Sequence, residues 1–441
     1  MSKRIVNLGF AIACCLSGNA LAEDLLETYR LAQQNDPQLA GAEATYQAAR
    51  EAKPLSRAGV LPSIVLSANG SRNENDASYA LAGIPSSKTY YTNYGYSLEL
   101  RQPIYRKENF VKLEEADVSI AQAEAQFHAA QQDLILRLAS AYFDVLSAQD
   151  TLHFSRAELA AVSRQLEQTK QRFEVGLTAI TDVNDAQARH DLIKAQVLAA
   201  EFDVDNKREA LRQITSEYPQ QPARLGEDTQ LPPPEPADIE AWNKAAMEQN
   251  LQLLAARYAS ELAAKNIQLS RSGHYPTLDL LLSHTNTHGG SFIDENTTNA
   301  IGLQFNLPLY SGGGTSAAIR QSQDKFTAAQ HALTQQRRVT EASTRNAYRA
   351  VTASIVRVQA LQQAVVSTQS ALDATEAGYE VGTRTSVDVL DARRELFRAQ
   401  RDYTQARYDY IIASLTLKQA AGILSVQDLE NINRWLVNAD G

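Results

Sequence analysis

Apolar positions follow two different periods along this chain. From Lys107 to Val175, and again from Thr315 to Ala377, there is neither Gly nor Pro. Apolar residues recur there at helical spacing, as in Ile120, Phe127, Leu134, Leu138, Tyr142 and Val145. Both runs are rich in Ala, Gln, Glu, Leu and Arg, which are strong helix formers. As helix, each would extend about 100 Å at 1.5 Å per residue. Runs this long and this rich in Ala predict coiled-coil-like packing rather than a globular core. A shorter helical stretch follows each, at about 180–215 and 386–421. The junctions Val175-Gly176-Leu177-Thr178 and Val381-Gly382-Thr383-Arg384 read as tight turns in which Gly supplies a positive φ. Two long helical hairpins are expected, with tips near Gly176 and Gly382.

Elsewhere the period is two. Tyr94, Tyr96, Leu98 and Leu100 alternate with polar residues or Gly, as do Ile64, Leu66 and Ala68, and Ile301, Leu303, Phe305 and Leu307. Leu278, Leu280 and Leu282 do the same, with Leu281 out of step. These segments predict two β-hairpins, about 58–104 and 274–309, with loops near 73–88 and 287–298 rich in Asn, Ser, Gly and Asp. Strands of about 10 residues, apolar on one side, suit a tilted membrane span. Four strands cannot close a barrel, and lipid does not tolerate an open edge. Other copies of the chain must complete it; eight strands would be filled by side chains, whereas twelve leave a lumen. The expected fold class is mainly α with a membrane β-barrel: a homotrimer with a 12-stranded barrel continued by a long α-helical barrel. Pro103 and Pro308 are expected just past the second strand of each hairpin, where proline is tolerated.

The chain says nearly everything twice. Phe173-Glu174-Val175-Gly176 returns about 206 positions later as Tyr379-Glu380-Val381-Gly382, and Leu98–Tyr105 returns as Leu303–Tyr310. Arg57 and Pro62 return at a slightly longer offset as Arg271 and Pro276. Two tandem repeats, 23–218 and 237–429, are expected, joined by the Pro-rich linker 219–236, with a tail at 430–441. Helices at about 24–35 and 37–57 should match those at about 237–249 and 250–272.

Composition sets the compartment. Lys3 and Arg4, the apolar stretch Val6–Leu16 and Ala20-Leu21-Ala22 form a secretory signal over 1–22. Its loss takes the net charge from −9 to −11. Cys14 and Cys15, the only cysteines, lie inside it, so the mature chain has no thiol; lipidation there is disfavoured by the preceding Ala11-Ile12-Ala13. The acidic balance speaks against nucleic acid. No later segment has 18 consecutive apolar residues, so no spanning helix is expected.

Chemistry is sparse. No nucleophile motif stands out, and Gly312-Gly313-Gly314 lacks the Lys that a phosphate loop requires. His284 and His288 read as exposed loop histidines rather than metal ligands, and no cofactor, metal site or catalysis is expected. Asp388 and Asp391 share one helical face near the Gly382 tip, with Asp182 and Asp185 equivalent in the first repeat. They read either as a solvated face or as a carboxylate ring at a pore mouth.

Leu166–Thr169, Arg172–Leu177, Ala179–Val183, Glu376–Thr385 and Val387–Ala392 together resemble the TolC family of outer-membrane efflux channels, over nearly the whole chain to about Leu429. The resemblance implies a trimeric channel in the outer membrane, extending into the periplasm. It would serve drug efflux or type I protein secretion, docked to a periplasmic adaptor and an inner-membrane efflux or ABC-type transporter. It also implies gate residues Tyr379 and Arg384, with Thr181, Asp182 and Gln165 as their partners. Asp388 and Asp391 would be the pore-constriction carboxylates, and Gly176 and Gly382 would lie in the adaptor-binding tips. Asp185 departs from the family pattern, which has an uncharged polar residue there; either the entrance is more acidic or Asp185 faces solvent. A periplasmic coiled-coil adaptor or scaffold is the rival reading, and it leaves the four amphipathic strands unexplained.

Overall fold

The computed structural model describes residues 24–77, 87–218, 222–226, 229, 231–289 and 294–437. The expected signal segment, with Cys14 and Cys15, lies outside the described residues, as do the centres of both strand loops. The chain opens with α1 (Leu25–Asn35), α2 (Pro37–Arg50) and α3 (Ala52–Ala58). Asp24 and Asp36 cap the first two by accepting from backbone N–H groups three residues on. Strands β1 (Ser63–Ala77) and β2 (Ser87–Arg106) follow, then α4 (Lys107–Glu174) and α5 (Ile180–Thr215). After the linker the same order returns: α6 (Ile239–Gln249), α7 (Leu251–Ser272), β4 (Thr277–His288), β5 (Glu295–Asn306), α8 (Gly314–Glu380) and α9 (Ser386–Ala421). The linker itself carries a short β3 (Arg224–Leu225), and α10 (Val426–Asn433) and β6 (Leu436–Val437) close the chain.

The unbroken runs become helices of 68 and 67 residues, α4 and α8. Their partners α5 and α9 fold back on them as the two expected hairpins. The four long strands form one sheet in the order β1-β2-β4-β5, antiparallel throughout. Directly opposed residues share a face. Ile64, Leu100, Leu282 and Ile301 therefore form one apolar row, beside Leu280 with Leu303 and Leu278 with Phe305. The other face carries Ser67, Ser97, Thr285 and Thr298. The apolar face is bare in the protomer: Ile301 is 75% exposed, Leu303 67% and Ile64 65%. Among the described residues, both outer edges, β1 and β5, lack a neighbouring strand.

Two details differ from the sequence reading. The strands are longer, 15 and 20 residues in the first hairpin, because the Asn- and Ser-rich flanks continue the pairing beyond the apolar band. Pro103 lies inside β2 rather than past its end. The register against β4 shifts between Pro103 and Tyr105, a bulge that releases proline from the ladder. Pro308 falls after β5, as expected.

The linker is also more ordered than its prolines implied, because β3 pairs with β6. Three of its carbonyls accept from helix side chains. Tyr142 Oη donates to Ala223 at 3.0 Å, Arg407 to Gly226 and Tyr410 to Pro232. This waist holds the main core, where Tyr142, Phe143 and Leu146 of α4 meet Tyr408, Ile411 and Leu415 of α9, Leu25 of α1, Trp242 of α6 and Leu429 of α10.

Candidate periplasmic gate

Both hairpin tips close by the same local chemistry. Gly176 has φ +77° and Gly382 φ +78°, left-handed values that Gly adopts without a Cβ penalty. At the first tip Gly176 N donates to Phe173 O at 2.9 Å and Leu177 N to Arg172 O at 2.8 Å. At the second, Gly382 N donates to Tyr379 O at 3.1 Å and Thr383 N to Gly378 O at 2.8 Å. These are paired Schellman closures, which satisfy the last carbonyls of each long helix. Val175, Leu177 and Val381 stand exposed at the tips, leaving an apolar surface on both turns.

The two hairpins of one protomer are joined across this end. The Arg172 guanidinium of α4 lies 4.7 Å from the centre of the Tyr379 ring on α8. Tyr379 and Gln165 line one open groove with Arg172, Glu376 and Arg393. Gln165 is buried, and its side-chain Nε2 has no hydrogen-bond partner in the protomer. Arg393 donates to Glu376, fastening α9 to α8. Deeper in, Val162, Ile193 and Leu390 form an apolar contact among α4, α5 and α9.

The remaining gate positions are held apart from this groove. Asp182 accepts from the Thr178 hydroxyl in the first turn of α5, where a carboxylate also complements the helix dipole. Thr181 and Asp185 are exposed. Arg384 folds back over the end of α8: its backbone N–H donates to Gly378 O at 3.2 Å, and a Cβ on Gly378 would meet Arg384 Cγ at 2.8 Å. Among the described residues of one protomer, the Arg384 guanidinium makes no hydrogen bond or ion pair. Tyr379 and Arg384 thus do not touch Asp182 or Thr181 within the protomer.

The two acids near the Gly382 tip are engaged rather than free. Asp388 is part of a capping box: its Oδ2 accepts from Thr385 N at 2.8 Å and from Thr385 Oγ1 at 2.9 Å. These two bonds, the backbone one foremost, hold its carboxyl below the ordinary value. Asp391 pairs with Arg189 of α5 and, at 3.4 Å, with Arg394 of its own helix. Arg172, Arg189 and Arg393 were not among the gate residues expected from the sequence. Each meets its partner across helices, and no period along one chain segment links such positions.

His284 and His288 lie on strand β4, not in a loop. His284 Nδ1 is 2.6 Å from Asn299 Oδ1, and the His288 ring stacks on Tyr94 at 5.2 Å. With Tyr96 they form an aromatic band toward one end of the apolar face, the pattern of a membrane-interface girdle.

A model of the outer membrane efflux protein family matches residues 28–217 and 242–423, nearly the whole of both repeats. The chain belongs to the outer membrane efflux protein family. Outer membrane protein TolC of Vibrio cholerae is 42% identical over 427 residues, covering 96% of this chain and 95% of the relative. TolC of Escherichia coli is 38% identical, covering 94% and 85%. Alkaline protease secretion protein AprF of Pseudomonas aeruginosa is 30% identical, covering 98% and 91%. The fold is shared with the CmeC outer membrane channel of Campylobacter jejuni at TM-score 0.80 and 16% identity, covering 94% of this chain and 90% of that one. VceC of Vibrio cholerae superposes at TM-score 0.76 and 21% identity, covering 90% and 96%. This efflux-family protein is accordingly an outer-membrane protein, with its sheet in the membrane and its helical hairpins in the periplasm. No helix among the described residues is long and apolar enough to cross a membrane.

Proposed function

We propose that this protein is a homotrimeric exit duct, with no catalysis of its own, serving drug efflux or type I secretion. A periplasmic adaptor docks at the Gly176 and Gly382 tips and links the duct to an inner-membrane efflux or ABC-type transporter. The observation that carries the reading is the four-stranded sheet, with an apolar band across one face and with edges at β1 and β5 open among the described residues. An open edge in lipid leaves backbone groups unsatisfied at several kcal/mol each, so only pairing with further copies makes it stable. Three copies supply twelve strands, enough to leave a lumen.

Tyr379 and Arg384 act as the gate, with Thr181, Asp182 and Gln165 facing them from a neighbouring hairpin. The unpaired Arg384 guanidinium and the orphaned Gln165 amide support this, since both await partners that one protomer lacks. Asp388 and Asp391 line the constriction. AprF, named for protease secretion, supports secretion, and the match to the outer membrane efflux protein family supports efflux.

The test is to fractionate membranes, measure the mass of the purified oligomer and record its conductance in planar bilayers. A trimer from the outer membrane that conducts supports the duct, and proteins that co-purify identify the adaptor and transporter. A soluble periplasmic monomer would instead favour the coiled-coil scaffold, the reading that leaves the sheet's apolar face in water.

A further inference from the structure

One ion pair crosses the seam between the two hairpins without belonging to either tip. Arg189 projects from α5 and donates to Asp391 of α9, with its side chain only 23% exposed. Arg394 approaches the same carboxylate from below at 3.4 Å. Glu158 of α4 faces this cluster; burial raises its pKa, opposed by the charges of Arg401, Arg189 and Arg394. The apolar contact of Val162, Ile193 and Leu390 lies alongside, with Leu390 adjacent to Asp391 and Ile193 one turn from Arg189. Three helices therefore meet in a small seam, polar and apolar parts together.

We infer that Arg189 is a latch residue of the periplasmic entrance, holding α9 against α5 and cancelling the charge of Asp391. This rests on the channel reading above. Moving the second hairpin outward separates α9 from α5, and Arg189–Asp391 is the charged contact such a movement must break. The same pair determines what an ion meets at the constriction. With Arg189 and Arg394 in place the charge of Asp391 is offset, whereas Asp388 has no ion-pair partner among the described residues, so the entrance is less acidic than its carboxylates imply. The latch is separate from the gate at Tyr379 and Arg384, since neither residue touches Arg189 or Asp391. Glu158 offsets part of the positive charge of Arg189, Arg394 and Arg401.

The experiment uses the full-length trimer in planar bilayers, comparing wild type with R189Q, R189K, D391N and the charge swap R189D with D391R. Three pairs per trimer bias a two-state entrance modestly, and R189Q is expected to shift the open-to-closed ratio by about fivefold. Its cation preference and its block by a trivalent cation should rise as well, because Asp391 keeps only the longer 3.4 Å contact to Arg394. D391N should open the entrance without strengthening block. R189K should stay near wild type, and the swap should restore the wild-type open-to-closed ratio. Trimer yield and circular dichroism check that each variant folds. A conducting wild type with an unchanged R189Q, or a swap as open as the single variants, overturns the latch alone. A wild-type trimer that does not conduct overturns the channel reading as well.

Discussion

The Arg172 guanidinium sits 4.7 Å from the centre of the Tyr379 ring, joining the end of the first long helix to that of the second within one protomer. Tyr379 therefore has two separable parts, a ring engaged inside its own subunit and a hydroxyl left for another. Arg384→Ser with Tyr379→Phe removes the gate's polar contacts and keeps the ring, and single-channel conductance should rise. Tyr379→Ala in the same background should raise it further, since an exposed cation–π contact contributes about 0.5–1 kcal/mol. Unchanged conductance in the first double variant would remove both residues from the gate.

On the membrane face, Leu303 is paired with Leu280 and is 67% exposed in the protomer. Leu303→Arg should cost about 2–4 kcal/mol if it lies near the bilayer midplane. The expected outcome is less assembled trimer in the outer-membrane fraction, read on unheated gels. Normal insertion would place Leu303 on the lumen side.

Repeat symmetry makes a prediction about the contact between subunits. Within each hairpin the registers are equivalent residue for residue: Ser63 pairs with Arg101 as Thr277 pairs with Asn306. Leu100 opposes Leu282 at the junction of β2 and β4. Carrying that junction onto the free edges places Phe305 opposite Ala68 of the partner subunit. Phe305→Cys with Ala68→Cys should form an intersubunit disulfide. Phe305→Cys with Ser67→Cys should not, because a one-residue slip moves the thiol to the other face. Cross-linking of the second pair in preference to the first would mean that the subunit contact departs from the internal one.

The Asp388 cap carries a pH expectation. A carboxyl held below its usual value by Thr385 keeps its charge to lower pH, and the charge is lost only as pH falls through that depressed value. Trivalent block should therefore persist until pH drops below about 4, the ordinary carboxylate value. Asp388→Asn with Asp391→Asn should abolish block, while Asp182→Asn with Asp185→Asn changes it little. A block midpoint above about 4 would show that repulsion among the three copies outweighs the cap.

At the waist, Tyr408 donates to Asp150 at 2.6 Å, and burial raises the Asp150 pKa. Tyr408→Phe strands a buried carboxylate and should destabilise the protein by about 1–3 kcal/mol at neutral pH. A raised folded-state pKa means that Asp150 favours folding in its protonated form, with that contribution lost as pH climbs through the raised value. The penalty in Tyr408→Phe should accordingly shrink as pH falls toward the unfolded carboxylate value. Thermal unfolding followed by circular dichroism at several pH values measures it; a penalty independent of pH would rule out the charge.

The long helices and four strands were legible because one period governs each over many residues, from Leu134 to Val145 or from Tyr94 to Leu100. The tips were legible through Gly176 and Gly382. What escaped depends on contacts between distant segments. Pro103 reads locally as a strand end, yet the pairing of β2 with β4 carries the strand past it through a bulge. The Asp388–Asp391 spacing shows a shared face but not that Thr385 and Arg189 engage the two acids. The linker prolines mask β3, whose partner β6 lies more than two hundred residues away.

That distant partner has a consequence for truncation. The linker lies between the two repeats, whereas Leu436 and Val437, which pair with it, follow every other described element. A chain cut short after α9 would carry every long helix and strand, with its waist unclosed and Arg224 and Leu225 left without a pairing strand. Truncation there should therefore loosen the centre of the molecule while leaving both long hairpins and the four-stranded sheet in place.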